Sequence, residues 1–117
     1  MTRFPRGVYG QGEEPDARFS LANERTFLAW IRTGLALLAA GVALHALQVP
    51  SHPGFRLAAA LVFIALGLLA TVEAWFGWWR TELAMRLGRP LPGTPLTLVL
   101  AAGVAVGVVL VLLGLSW

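Results

Sequence analysis

Residues 26–49 read Thr26-Phe-Leu-Ala-Trp-Ile-Arg-Thr-Gly-Leu-Ala-Leu-Leu-Ala-Ala-Gly-Val-Ala-Leu-His-Ala-Leu-Gln-Val49, an apolar run longer than the ~20 residues that cross a bilayer core. Two further runs of this kind cover about residues 55–79 and 96–117. Because lipid offers the backbone no hydrogen bonds, such segments cross it as helices. With 57% hydrophobic and 13% charged residues, the chain is also far more apolar than an ordinary soluble domain. The sequence therefore predicts an all-α membrane protein with three transmembrane helices.

The distribution of arginine predicts how these spans are oriented. All nine basic residues are arginines; four precede the first span and three lie between the second and third, whereas residues 50–54 contain none. Since positively charged flanks stay in the cytoplasm, we expect the N-terminus and the second connection inside, and the first connection and C-terminus outside. Residues 1–14 are glycine-rich and polar and are predicted to be a flexible cytoplasmic tail. Residues 15–117 then form a single three-helix transmembrane domain.

Three arginines, Arg18, Arg25 and Arg32, stand seven residues apart where the first span begins. A step of seven is almost two helical turns, so their guanidinium groups share one stripe, about 10 Å apart along the axis. An arginine inside a span costs at least about 2.5–3.5 kcal/mol on insertion scales, so Arg32 needs a partner, water or a role. Continued at alternating steps of four and three, the stripe takes in six alanines: Ala22, Ala29, Ala36, Ala39, Ala43 and Ala46.

This arginine stripe has two interpretations. The first is a packing seam, on which another helix approaches closely while the arginines extend to the cytoplasmic surface. The second is an anion-binding vestibule lined by Arg18, Arg25 and Arg32, formed when several copies turn the stripe to a common axis. The planar, forked guanidinium group suits either phosphate or carboxylate.

Glu73 is the acid that lies deepest in a predicted span, at a depth similar to that of Arg32 in the antiparallel first helix. We expect an ion pair between these two residues, because pairing removes most of the burial penalty of each. The alternative is that Glu73 carries protons. Where the first helix meets the membrane, Asn23 and Glu24 form a polar patch, with Arg80 or Arg86 as the candidate partner of Glu24. The predicted structural polar network is Asn23, Glu24, Glu73 and Arg80.

Several classes of function find no support in the sequence. The chain has no cysteine, and its two histidines, His45 and His52, are too few for a convincing metal site. No combination of serine and histidine suggests nucleophilic catalysis, and no glycine-rich nucleotide loop is present. We therefore expect neither an enzyme nor a cofactor. The arginines flank membrane spans, so topology explains them better than nucleic-acid binding does.

The run Leu21-Ala-Asn-Glu-Arg-Thr-Phe-Leu-Ala-Trp-Ile-Arg-Thr-Gly34 resembles the signature of the YidH-like family, also called domain of unknown function family 202. The segment Arg80-Thr-Glu-Leu-Ala-Met-Arg-Leu-Gly-Arg-Pro-Leu-Pro92 resembles the cytoplasmic connection of the same family. The resemblance implies a small bacterial protein of the inner membrane. The positions that match the first motif are Arg18, Ala22, Glu24, Arg25, Thr26, Leu28, Trp30, Ile31, Arg32 and Thr33.

This family is similar in fold to the membrane portion of the eukaryotic vacuolar transporter chaperone complex, which makes polyphosphate and passes it across a membrane. There the Ala-Asn-Glu-Arg-Thr-Phe-Leu motif belongs to a first helix that lines an oligomeric channel. The resemblance therefore implies basic channel positions for Arg18 and Arg25. Arg32 replaces a neutral residue of the eukaryotic pattern, and polyanion passage is implied as an analogy that does not extend to polyphosphate synthesis.

Together, the residues and the resemblance predict a small multi-pass plasma-membrane protein that assembles as a homo-oligomer. Its expected role is channel-like or transport-associated, with an arginine-lined cytoplasmic vestibule for anions or polyanions. The rival expectation is a non-conducting scaffold or accessory subunit whose arginines order helices or bind anionic lipid. The expected partners are the lipid bilayer, further copies of the chain and an anion or polyanion.

Overall fold

The computed structural model describes residues 5–47, 50–93 and 95–116, which form four helices and no strand. Three of the helices are long and apolar enough to cross a membrane, so the predicted all-α, three-span fold is confirmed. The predicted span ends at Gln48, Val49 and Trp117 lie outside the described residues. The helices are α1 (Arg6–Tyr9), α2 (Ala17–Ala46), α3 (Pro53–Arg86) and α4 (Leu96–Ser116).

The first two long helices extend beyond the predicted apolar runs. α2 begins at Ala17 because the Asp16 side chain caps it, accepting a hydrogen bond of 2.9 Å from the backbone N–H of Arg18. α3 begins at Pro53, where the His52 ring accepts hydrogen bonds from the first turn. It continues past the predicted end at residue 79 to Arg86. Hydropathy locates the apolar part of a helix, whereas caps and packing decide where the helix ends.

α3 lies between the other two long helices. α2 and α4 both pack on it, and in the described part of the chain no Cα of α2 lies within 8 Å of a Cα of α4. α2 reaches α3 through glycine. A Cβ added at Gly34 would lie 3.0 Å from the carbonyl oxygen of Gly67, and one added at Gly67 would lie 2.8 Å from that of Gly34. The two backbones are therefore in direct contact, as small residues allow in membrane helices.

α4 uses the same device against the opposite side of α3. Gly103 lies against the Leu66 side chain and Gly107 against the Phe63 ring, where added Cβ atoms would come within 2.6 and 2.7 Å. The Gly103-x-x-x-Gly107 pattern thus faces α3. The large apolar side chains of α4 point outward instead, with Leu98 76% and Leu112 59% exposed. That distribution suits a protein whose solvent is lipid.

The prediction of a flexible tail is wrong for residues 5–14, which pack on the end of α3. Val8 is fully buried, and α1 contacts α3. Gly12 adopts a positive φ of 54°, and its Cα passes so close to the Arg86 carbonyl that no side chain fits. The backbone N–H of the next residue, Glu13, donates a hydrogen bond of 2.9 Å to the same Arg86 carbonyl. We call residues 5–14 the N-terminal strap; residues 1–4 lie outside the described part.

The Gly34–Gly67 contact predicts a sharp response to one added methyl group. Gly67→Ala places a Cβ 2.6 Å from Leu38 Cγ as well as against the α2 backbone. Although alanine favours helix, we expect a loss of about 1–3 kcal/mol from overpacking, read as a lower melting temperature of the purified protein in detergent. The matched control on the same helix is Gly77→Ala, whose new Cβ meets only the end of the Glu73 side chain. Equal melting temperatures for the two variants would contradict the contact.

Candidate functional site

The candidate site lies at the arginine-rich end of the bundle, which consists of the strap, the start of α2 and the last turns of α3. Here α3 brings a row of residues at four-residue steps to its buried side, because four residues is close to one helical turn. The apolar members of this row continue into polar ones as the helix leaves the membrane-length core. The row is Ala70, Ala74, Trp78, Glu82 and Arg86, all of them buried.

The arginine stripe lies on the face of α2 that is turned away from α3. The buried residues of α2 are Asn23, Gly34 and Gly41, which share one face because Asn23 and Gly41 are five whole turns apart. Arg25 follows Asn23 by two residues, or about 200° of rotation, and is exposed. Arg18, Arg32 and the six alanines of the stripe are also exposed, except Ala43, which is half-buried.

The three arginines differ in their partners. Arg18 forms an ion pair of 3.0 Å with Asp16, and both side chains are open to solvent. Hydrogen bonds from the Arg18 side chain, and secondarily from its backbone N–H, hold the pKa of the Asp16 carboxyl below its ordinary value. Within the described residues, neither Arg25 nor Arg32 has an ion pair. Two of the three guanidinium groups are therefore available to a ligand or to another copy.

The predicted ion pair between Arg32 and Glu73 is wrong. Glu73 Oε1 instead accepts from Arg80 Nη2 at 2.8 Å, two turns further along α3, and the Glu73 side chain is only 14% exposed. A similar depth along the membrane normal does not bring the two residues together, because Arg32 lies on the outer face of α2 and cannot turn toward α3. The Glu73 carboxylate is thus paired with an arginine of the same helix.

The predicted polar network is divided in two. Asn23 lies apart from Glu73 and Arg80, and donates through Nδ2 to the carbonyl of Trp78 at 3.1 Å and to Glu82 Oε1 at 3.3 Å. Ser20 Oγ donates to the other oxygen of Glu82 at 2.8 Å. Glu82 is 1% exposed, so a buried carboxylate is held by an amide and a hydroxyl.

Ser20 and Glu82 belong to this cluster although neither is among the predicted site residues. Glu82 follows the apolar run and was read as part of a connection. The four-residue row that ends in Trp78, Glu82 and Arg86 was the available signal, since it continues the buried face of α3. Glu24 belongs to neither polar cluster: its side chain is exposed and borders the strap.

Arg86 holds the strap. Its guanidinium group donates from Nε to the Gln11 carbonyl and from Nη2 to the Tyr9 carbonyl, both at 2.9 Å. It also lies 5.4 Å from the centroid of the Tyr9 ring, and Nη1 is 3.6 Å from a Glu14 carboxylate oxygen. Arg86 is 8% exposed; main-chain carbonyls accept from its Nε and Nη2, whereas the buried Nη1 has no hydrogen-bond partner within the described residues and is met only by the ion pair with Glu14.

Over residues 5–47, 50–93 and 95–116 the structure shows no group of three or more His, Cys, Asp or Glu side chains that could hold a metal ion. His52 serves instead as the cap of α3. The arrangement at the arginine-rich end is suited to binding charged ligands through guanidinium, carboxylate and aromatic groups.

Comparison with known proteins identifies the family. The model of the family described as Domain of unknown function (DUF202) matches residues 18–84, from the first arginine of the stripe to the last turn of α3. The chain belongs to the DUF202 family. Inner membrane protein YidH of Escherichia coli is 48% identical to this DUF202 protein over 103 residues, covering 86% of this chain and 89% of the relative.

An uncharacterized protein of Mycobacterium tuberculosis is 48% identical over 95 residues, covering 80% of this DUF202 protein and 77% of the relative. No solved structure matches the chain. The family match, the membrane-length helices and the similarity to an inner membrane protein together show a multi-pass protein of the inner membrane. The family is described as a domain of unknown function, so the family match assigns no biochemical role to the arginine-rich end.

The division of the polar residues predicts that Asn23 and Glu24, adjacent in sequence, contribute very differently to stability. Asn23→Ala removes the side-chain donor to the Trp78 carbonyl and to Glu82 Oε1, so Ser20 remains the side-chain donor to this buried carboxylate, at a cost of about 1–3 kcal/mol. Glu24→Ala removes an exposed side chain and should change stability by less than about 0.5 kcal/mol. Thermal melts of the two variants in the same detergent compare them. Similar losses for both would show that the buried cluster does not stabilise the fold.

Proposed function

We propose that this protein assembles as a homo-oligomer in which α2 turns its arginine stripe to a common axis, forming a vestibule that binds anions or polyanions on their way across the membrane. The single observation that carries the proposal is the position of the stripe. Arg18, Arg25 and Arg32 all lie exposed on the face of α2 opposite α3. α4 packs on α3 and borders a groove beside Ala29 through Thr97 and Leu100, and in the described part of the chain none of its Cα atoms lies within 8 Å of a Cα of α2.

The energetics of Arg32 support an assembly around water. This residue lies inside a membrane-length helix and has no ion pair within the described residues. Facing lipid, its charge would cost at least about 2.5–3.5 kcal/mol. A water-filled axis shared by several copies removes that cost. Beyond Arg32 the stripe continues as alanine, whose small side chain leaves room along the axis.

The chemistry of the stripe favours multivalent anions. Three guanidinium groups follow one another at about 10 Å along one helix, and every additional copy supplies three more at the same heights. The forks of Arg25 and Arg32, which have no ion pair within the described residues, can each hold two oxygens of a phosphate or carboxylate. An extended polyanion is therefore matched better than a single small anion. The proposed role is binding and passage, without a catalytic step.

The alternative function is that of a non-conducting scaffold, and one specific observation favours it. Arg18 is already paired with Asp16 at 3.0 Å in the exposed end of α2. Asp16 caps the start of α2, and Arg18, paired with this carboxylate, can meet anionic lipid headgroups without any pore. In this case the stripe is a seam for another helix, and Arg25 stabilises the assembly instead of a ligand.

The proposed vestibule is cytoplasmic, which makes orientation testable. We expect the strap and the connection between α3 and α4 inside the cell. The segment before the first span and the segment between the second and third spans together contain seven of the nine arginines. Single cysteines at Ser51 and Gly93 suit the test, as the natural chain has none. An impermeant maleimide added to intact cells should label the cysteine at position 51, with position 93 labelled only after permeabilisation. The reverse pattern would invert the topology and place the arginines outside.

The vestibule predicts a specific effect of Arg25→Gln on transport. In proteoliposomes loaded with tripolyphosphate, flux per assembled oligomer should fall about tenfold at low salt, because the local positive potential that concentrates the anion is weakened. At high salt the difference should shrink, since exposed charges are screened over about 8 Å at physiological ionic strength. Arg89→Gln is the matched control, an exposed arginine outside the stripe.

The same measurement separates the scaffold from the vestibule. If Arg25 only orders helices, Arg25→Gln lowers the fraction of assembled oligomer and leaves flux per oligomer unchanged at both salt concentrations. If wild-type protein passes no anion at all while forming a stable oligomer, the vestibule proposal fails and the scaffold is retained.

A further inference from the structure

A cavity at the arginine-rich end has a lining whose charge is opposite to that of the stripe. It occupies about 260 Å³ between the strap, α2 and α3, and is lined by Pro5, Tyr9, Glu24, Phe27, Trp75 and Trp78. Four of these six side chains are aromatic. Among the described residues that line it, Glu24 supplies the ionised group. An aromatic wall with one carboxylate is the arrangement that recognises organic cations.

The aromatic wall is built from rings in mutual contact. Trp75 and Trp78 stack with centroids 5.6 Å apart and planes inclined by 28°, and the Tyr9 ring meets Trp78 at 6.0 Å. Trp78 is 8% exposed and fixes the floor, whereas Trp75 is 38% exposed and remains accessible from outside. Because the strap contributes Pro5 and Tyr9, the cavity exists only when residues 5–14 are held on α3 by Arg86.

The charges around the cavity favour a positive ligand. Glu24 has no ion pair within the described residues, so its charge is available to a ligand. Arg86 lies 5.4 Å from the Tyr9 centroid, but its guanidinium group is engaged by the Tyr9 and Gln11 carbonyls and by Glu14. Arg25 follows Glu24 by one residue, or about 100° around α2, toward the stripe.

We propose that this cavity binds an organic ammonium group, with the faces of its aromatic side chains in contact with the cation and Glu24 balancing its charge. The proposal is independent of the anion vestibule. Two sources present the same chemistry at a membrane surface: a small soluble quaternary or primary amine, and the amine of a lipid headgroup. A neutral group of the same shape lacks the attraction to both the carboxylate and the ring faces.

The test uses the full-length protein in a neutral maltoside detergent, titrated with choline chloride against sodium chloride of equal ionic strength and followed by tryptophan fluorescence. Choline should bind saturably, and its neutral isostere 3,3-dimethylbutan-1-ol should bind at least about tenfold more weakly. Glu24→Gln and Trp75→Leu should each weaken choline binding about tenfold. Glu13→Gln and Phe76→Leu are the matched controls, an exposed acid and an exposed aromatic that do not line the cavity.

The source is decided in nanodiscs of phosphatidylglycerol with and without phosphatidylethanolamine. A choline titration shifted to higher concentration by phosphatidylethanolamine supports the lipid amine as the occupant, and an unchanged titration supports a soluble amine. Three results would overturn the proposal. These are no saturable binding of choline and no effect of phosphatidylethanolamine, equal binding of the neutral isostere, or equal weakening by the control variants.

Discussion

The direct contact between the backbones of α2 and α3 at Gly34 and Gly67 governs the rest of this structure. With no side chain at either position, α2 approaches until each glycine lies near the carbonyl of the other. A helix is stiff over 30 residues, so this contact fixes the rotation of α2 along its whole length. Asn23 lies on the same face of α2 as Gly34 and therefore contacts Glu82, whereas the three arginines lie on the opposite face.

This rotation explains which parts of the structure could be read from the sequence. Apolar length and helical periodicity are local properties, and they gave the three spans and the common stripe of Arg18, Arg25 and Arg32. The partner of Glu73 depends on which way α2 faces, and depth along the membrane normal carries no information about that. Gly34 and Gly41, one face of small residues opposite the arginines, were the sequence feature from which the rotation could have been inferred.

The strap shows a different limit. Its composition is typical of an unstructured tail, and nothing within residues 5–14 reveals a binding partner. The partner is Arg86, which lies far away in sequence and only becomes available because α3 continues beyond the membrane-length run. Likewise, Glu82 was overlooked because it follows the hydrophobic segment, although the four-residue row through Ala74 and Trp78 leads directly to it. Tertiary contacts of this kind cannot be read from a local window.

Charges at the arginine-rich end fall into two groups that behave differently. The buried ones are balanced mainly by neutral dipoles: Glu82 by an amide and a hydroxyl, and Arg86 by carbonyls. Such groups are costly to bury, and their hydrogen bonds reduce that cost, although Arg86 Nη1 has no hydrogen-bond partner within the described residues. Among the exposed ones, Arg18 is paired with Asp16, whereas Glu24, Arg25 and Arg32 have no ion pair within the described residues. The surface of α2 therefore presents a negative and a positive region on adjoining faces, each available to a different ligand.

Arg86 grips the strap by its main chain, and this has a consequence for how the segment can change over evolution. The two bonded carbonyls belong to Tyr9 and Gln11, and a carbonyl is the same whatever side chain the residue carries. Most substitutions at these two positions should therefore preserve both hydrogen bonds. An inserted or deleted residue in this segment has a larger effect. It moves the carbonyls out of register with the Arg86 guanidinium group and displaces Gly12 from the position that requires a positive φ. The length of this segment is thus under tighter constraint than the identity of its side chains.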